Sequence, residues 1–92
     1  MNTVLKIGTG CCPPCRLLKP IYNKLEEKYK DRICFLEVSD DGDYNLFEKF
    51  SRKFNIRSVP VVMIINSEEN EMERITGLYR EKDYCEMIEK YL

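Results

Sequence analysis

Apolar residues follow two rhythms along this chain, one of period two and one of helical period, and they divide it into seven segments. Thr3 to Gly8 opens with β-branched and aliphatic residues and stops at Gly8-Thr9-Gly10, a strand followed by a turn. Pro13 and Pro14 suit the first turn of a helix, where a missing N–H costs nothing. Beyond them Leu17, Leu18, Ile21, Leu25 and Tyr29 recur at helical spacing, which predicts a helix of about four turns. Pro20 falls inside it and is expected to kink it, because it removes one hydrogen bond and crowds the preceding turn. Ile33 to Val38 reads as a second strand and Ser39 to Asp43 as a turn. Leu46, Phe47, Phe50 and Phe54 give a second helix its apolar face, ending near Asn55. Val61 to Ile65 is continuously apolar, as a strand buried on both faces would be. After the polar turn Asn66 to Asn70, Glu71 to Thr76 pairs back as a hairpin. Tyr84, Met87, Ile88 and Tyr91 then mark a closing helix. The order is βαβαββα: a parallel β-α-β unit, then a hairpin with a helix laid on the sheet.

Ninety-two residues, 43% of them apolar, suffice for one core, so residues 1–92 are expected to form one domain. Fifteen basic and 16 acidic residues leave a net charge of -1, which offers no electrostatic reason to bind nucleic acid or an anionic membrane. No apolar run is long enough to span a bilayer. Met1 to Lys6 has neither a basic leader nor a long apolar stretch, so no secretory signal and a cytoplasmic location are expected. Five cysteines are many for this length, and the odd count argues against a fixed disulfide framework. The absence of histidine removes the commonest metal ligand and the usual partner of a catalytic serine or cysteine.

The chemistry concentrates in Cys12-Pro13-Pro14-Cys15. A Cys-x-x-Cys spacing serves zinc sites as well as redox pairs. Here it lies between a strand end and a helix start within a β-α-β unit, the setting of a redox motif. At the helix N-terminus, unpaired N–H groups and the helix dipole favour a thiolate, and can take a cysteine from about 8.5 to roughly 3.5–7.5. Cys12 would hold that place, exposed and attacking, while Cys15, one turn inside, would resolve the mixed disulfide.

The chain resembles the thioredoxin family. Cys11-Cys12-Pro13-Pro14-Cys15 stands where the family has Trp-Cys-Gly-Pro-Cys, Pro20 follows the second cysteine by the family's five residues, and Val59-Pro60-Val61-Val62 matches its cis-proline before a core strand. Gly77 corresponds to the glycine after the next strand. The resemblance covers nearly the whole chain, lacks the family's leading strand and helix, and implies a glutaredoxin-sized α/β fold with sheet order 2-1-3-4. It implies that Cys12, Cys15 and Pro60 carry the reaction, and that Cys11, Pro13, Pro14, Val59, Thr76 and Gly77 face the substrate. In this family the proline packs against the disulfide and leaves the preceding backbone free to pair with an extended substrate. Cofactors and metals are not expected.

Lys6 in the central strand needs a partner, and Glu37 lies at a similar depth in the neighbouring one. Thioredoxins hold a buried aspartate and a lysine at these two positions, so the charges here look exchanged. Lys6 and Glu37 are therefore candidates for handling the proton of Cys15; the competing reading has Lys6 snorkel and Glu37 solvated. Cys11, in the place of the family tryptophan, is either a third thiol open to oxidation or a small exposed residue. Cys34 and Cys85 read as core fillers. The expected function is a protein-disulfide reductase, re-reduced by a flavin-dependent thioredoxin reductase. A glutathione-dependent, glutaredoxin-like enzyme is one alternative, and a metal- or cluster-binding module using Cys11, Cys12 and Cys15 is another.

Overall fold

A computed structural model describes all 92 residues. Seven elements follow in the expected order: β1 (Thr3–Gly8), α1 (Pro13–Tyr29), β2 (Cys34–Ser39), α2 (Tyr44–Lys53), β3 (Val61–Ile65), β4 (Glu71–Thr76) and α3 (Glu81–Glu89). The sheet order is β2-β1-β3-β4, with β1 parallel to β2, antiparallel to β3, and β3 antiparallel to β4. No helix is long and apolar enough to cross a membrane.

Alternation in the two inner strands sends side chains into separate cores. Val4, Val62 and Ile64 pack with Leu18, Tyr22, Leu25 and Tyr29 of α1 and with Tyr84, Met87 and Ile88 of α3. Leu5, Ile7, Val61, Met63 and Ile65 face the other way, onto Phe50 of α2 and Phe54 at its C-cap. Continuous burial of Val61 to Ile65 is therefore the signature of a strand covered by helices on both faces.

α1 starts where Pro13 and Pro14 occupy its first two positions, and it continues through Pro20 without a break. Its buried stripe differs from the expected one. Leu17 is 63% exposed and Ile21 only half-buried, while Tyr22 is in the core. Tyr22 earns that place through its hydroxyl, which reaches the carbonyl oxygens of Val4 at 3.1 Å and Leu36 at 2.9 Å and so ties α1 across β1 and β2. Cys34 also departs from expectation: it is exposed, because β2 is an edge strand and Cys34 opens it, with Sγ 3.4 Å from Met1 Sδ. Cys85 is half-buried against the α1–α3 core rather than within it.

Truncation should separate the two leucine environments. Leu25→Ala empties a fully buried site and is expected to cost about 2–5 kcal/mol in urea denaturation. Leu17→Ala, on the exposed face, should stay within about 0.5 kcal/mol.

Candidate active site

β1 ends at Gly8, and the short turn Thr9–Cys11 delivers Cys12 as the N-cap residue of α1. An N-cap side chain ordinarily accepts a hydrogen bond from an otherwise orphaned helix amide. Here sulfur does so: the Cys15 N–H donates to Cys12 Sγ at 3.2 Å. The same sulfur is joined to Cys15 in a disulfide, with the Cα atoms 5.2 Å apart. Both cysteines are nearly covered, Cys12 at 7% exposure and Cys15 at 5%. The expectation of an exposed Cys12 is thus corrected: its sulfur is tucked between the helix amide and the Val59 carbonyl oxygen, 3.9 Å away.

Val59 reaches that position through the loop after α2, and the Val59–Pro60 peptide bond is cis. The Pro60 carbonyl accepts from the Gly77 N–H at 2.8 Å, extending the β3–β4 pairing, in which Val61 faces Thr76, by one residue. Gly77 has φ +98, a conformation that disfavours any side chain. Sequence reasoning did not single out what holds this loop. The buried Tyr84 of α3 donates its hydroxyl to the Gly77 carbonyl at 3.1 Å and accepts from the Tyr79 N–H at 3.0 Å. Cys12, Val59, Pro60, Thr76 and Gly77 are therefore brought together. Cys11, Pro13 and Pro14, which flank the disulfide in sequence, are exposed, as are Leu78 and Tyr79 beyond Gly77.

On the other side of the disulfide, a cleft of about 310 Å³ lies at the carboxyl ends of β1 and β2, lined among others by Cys15, Lys6, Glu37 and Lys19. Lys6 and Glu37 are direct register partners, and Lys6 Nζ donates to Glu37 Oε2 at 2.7 Å. Lys6 is only 6% exposed, so the snorkelling alternative does not describe it. Lys19 of α1, missed in the sequence because it looks like any surface lysine, bonds the other Glu37 oxygen. Burial works to raise the Glu37 carboxyl, but the hydrogen bonds and charges of Lys19 and Lys6 outweigh it and hold the carboxyl below the usual carboxylate range. Nothing in the geometry favours the metal-module alternative, since no three Cys, Asp or Glu side chains converge as ligands would.

Because the folded carboxyl titrates below its unfolded value, the stabilisation it brings is full above the unfolded value and fades as pH falls through the folded one. Glu37→Gln should therefore lower the urea midpoint at neutral pH, and the gap to the wild-type protein should close on acidification. A gap independent of pH would contradict this.

Comparison with known proteins agrees with this geometry. A sequence profile of the Thioredoxin family matches residues 2–90. The chain is 27% identical over 81 residues to an M-type chloroplastic thioredoxin of Chlamydomonas reinhardtii, covering 88% of this chain and 54% of that protein. It therefore spans about half the length of that relative. It is 33% identical over 78 residues to NADPH-dependent thioredoxin reductase 3 of Arabidopsis thaliana, covering 85% of this chain and 14% of that one. Among solved structures, reduced Schistosoma mansoni thioredoxin pre-protein superposes with a TM-score of 0.81 at 25% identity, over 99% of this chain and 79% of that one. A chain from the complex of ferredoxin:thioredoxin reductase with thioredoxin f2 gives 0.79 at 28% identity, over 97% and 76%. With a β2-β1-β3-β4 sheet, a Cys12–Cys15 disulfide at a helix N-terminus and a family profile spanning nearly its whole length, the chain belongs to the thioredoxin family.

Proposed function

We propose that this protein is a thiol–disulfide oxidoreductase that reduces disulfides in protein substrates, cycling Cys12 and Cys15 between dithiol and disulfide. The observation that carries the reading is the Cys15 N–H donating to Cys12 Sγ at the first turn of α1. An amide aimed at that sulfur, with the helix dipole behind it, favours the thiolate of Cys12 over that of Cys15. The Cys12 thiolate attacks one sulfur of the substrate disulfide and the other leaves as a thiolate. Cys15, as thiolate, then attacks Cys12 Sγ, closing the internal disulfide and releasing the second substrate thiolate. Val59, Pro60, Thr76 and Gly77 on one side, and Cys11, Pro13 and Pro14 on the other, border the substrate's path to Cys12.

For Cys15 to attack, it must lose a proton. Gly8 and Lys6 are two residues apart on β1 and so share a face, and a side chain added at Gly8 would meet Cys15 Sγ at 3.1 Å. The lowered Glu37 carboxyl makes a poor proton acceptor. The pair's role in this reading is electrostatic: the Lys6 ammonium, held in place by Glu37, favours the Cys15 thiolate while the proton leaves through the cleft.

The electron donor is read as a reductase. The similarity to part of an NADPH-dependent thioredoxin reductase, and to a chain complexed with ferredoxin:thioredoxin reductase, supports that class of partner. A flavin-dependent thioredoxin reductase is the donor we infer, with glutathione as the alternative. A reducing compartment, the cytoplasm in this reading, suits a chain that keeps Cys11, Cys34 and Cys85 as free thiols.

Replacing Cys12 by Ser should abolish reduction of insulin disulfides. Replacing Cys15 by Ser should abolish turnover but leave a mixed disulfide between Cys12 and substrate, visible on a non-reducing gel. Activity retained by Cys12→Ser would overturn the assignment of roles. Lys6→Met should move the pH profile of turnover upward, and an unchanged profile would remove Lys6 from the mechanism.

A further inference from the structure

The sheet has two edges, and they are finished differently. β4 carries Glu71, Glu73 and Arg74, and a register shift at Ile64/Ile65 interrupts its pairing with β3. Charges and irregularities of this kind keep an edge from recruiting another strand. β2 is less guarded. Its only charged side chain, Glu37, is turned back to Lys6 and Lys19, while Phe35 and Leu36 are left half-exposed. We propose that the β2 edge is an interaction surface for a second copy of this chain, whose β2 pairs with it antiparallel about a two-fold axis at Leu36.

Backbone direction limits the registers that can form. In a parallel ladder, alternate residues of an edge strand bond inward and the others point out. The Cys34 N–H donates to the Asn2 carbonyl at 3.0 Å, so Cys34, Leu36 and Val38 bond inward to β1. The amides and carbonyls of Phe35 and Glu37 point away from the sheet, where no further strand lies. Two copies can pair antiparallel only with outward residues opposite one another, so the axis passes through a residue and not between two. With the axis at Leu36 the strands overlap almost fully, and Phe35 and Glu37 of each copy exchange both backbone bonds with Glu37 and Phe35 of the other.

Charge selects the same register. An axis at Leu36 sets Arg32 of each copy opposite Asp40 of the other. Both are exposed, and neither has an ion-pair partner in its own chain. Arg32 lies over the Tyr29 ring at 5.5 Å, and Asp40 accepts from the Gly10 N–H at 2.9 Å. An axis at Glu37 would set two carboxylates against each other. One at Phe35 would offer Asp40 only Lys30, which is already bonded to Glu27. The new ladder stops short of Asp31 and Asp41, because the Ile33 N–H already donates to the Tyr29 carbonyl and the Ser39 carbonyl already accepts from Gly42.

Val59, Pro60 and Gly77 lie at the ends of β3 and β4, across the sheet from β2. The pairing therefore leaves both disulfide sites of the dimer uncovered.

Sedimentation equilibrium of the 92-residue chain, with reductant present so that no disulfide links the copies, should show a dimer forming as concentration rises. Hydrogen exchange read by NMR on the unmodified chain should protect the Phe35 and Glu37 amides as the dimer forms, and leave the β4 amides unchanged. Arg32→Glu or Asp40→Arg should each weaken dimerisation about tenfold, with circular dichroism unchanged. The double exchange Arg32→Glu/Asp40→Arg should return it to within about threefold of wild type. A chain still monomeric at about 1 mM, a dimer without protection at Phe35 and Glu37, or a folded double variant as weak as the single ones would overturn the proposal.

Discussion

Because β1 is paired on both sides, parallel with β2 and antiparallel with β3, the chain can leave it for α1 only past its carboxyl end. The three-residue turn there runs straight into α1, whose first amides need acceptors. Cys12 supplies one with its sulfur. Capping and redox chemistry are therefore the same contact. The helix requires a polarisable or negative group at that point, and the reaction requires a sulfur stabilised as an anion. The remaining neighbours are placed by the same strand end: Val59 and Pro60 arrive beside it because β3 pairs with β1, and the Lys6–Glu37 pair lies below it because β2 does.

The order of elements was legible in the sequence because each strand and helix carried its own period. The Lys6–Glu37 pairing was legible only as a candidate at similar depth; the register itself follows from β2 running Cys34–Ser39, one residue later than the Ile33 to Val38 read from the sequence. Departures came where burial depends on neighbours distant in sequence. Leu17 and Tyr22 both fit a helical stripe, but only Tyr22 finds two backbone carbonyls for its hydroxyl, and nothing near it in sequence announces Val4 and Leu36. Cys34 looked like a core residue because its strand's pattern does not say that the strand lies at an edge.

At the site, the disulfide pair, the proline and the glycine were legible through resemblance, while their supports were not. Lys19 and Tyr84 act through side-chain contacts that span 18 and 7 residues. The cleft was invisible for a different reason. It consists of what Gly8 and Gly10 lack, framed by charges from β1, α1, β2 and the turn that follows β2. Sequence patterns register side chains that are present far better than the space left by those that are absent.

Tyr84 carries a consequence for motion. Leu78 and Tyr79 are exposed in a short loop, the kind of segment that ordinarily opens on its own at little cost. Here the Tyr79 amide and the Gly77 carbonyl are both fastened to one hydroxyl whose ring is sealed in the core beneath α3. Opening the loop to expose the Tyr79 amide means breaking its bond to a hydroxyl that the core holds in place. The rim of the disulfide site is thereby anchored at two backbone groups to one fixed point in the interior, which favours a shape set before substrate arrives.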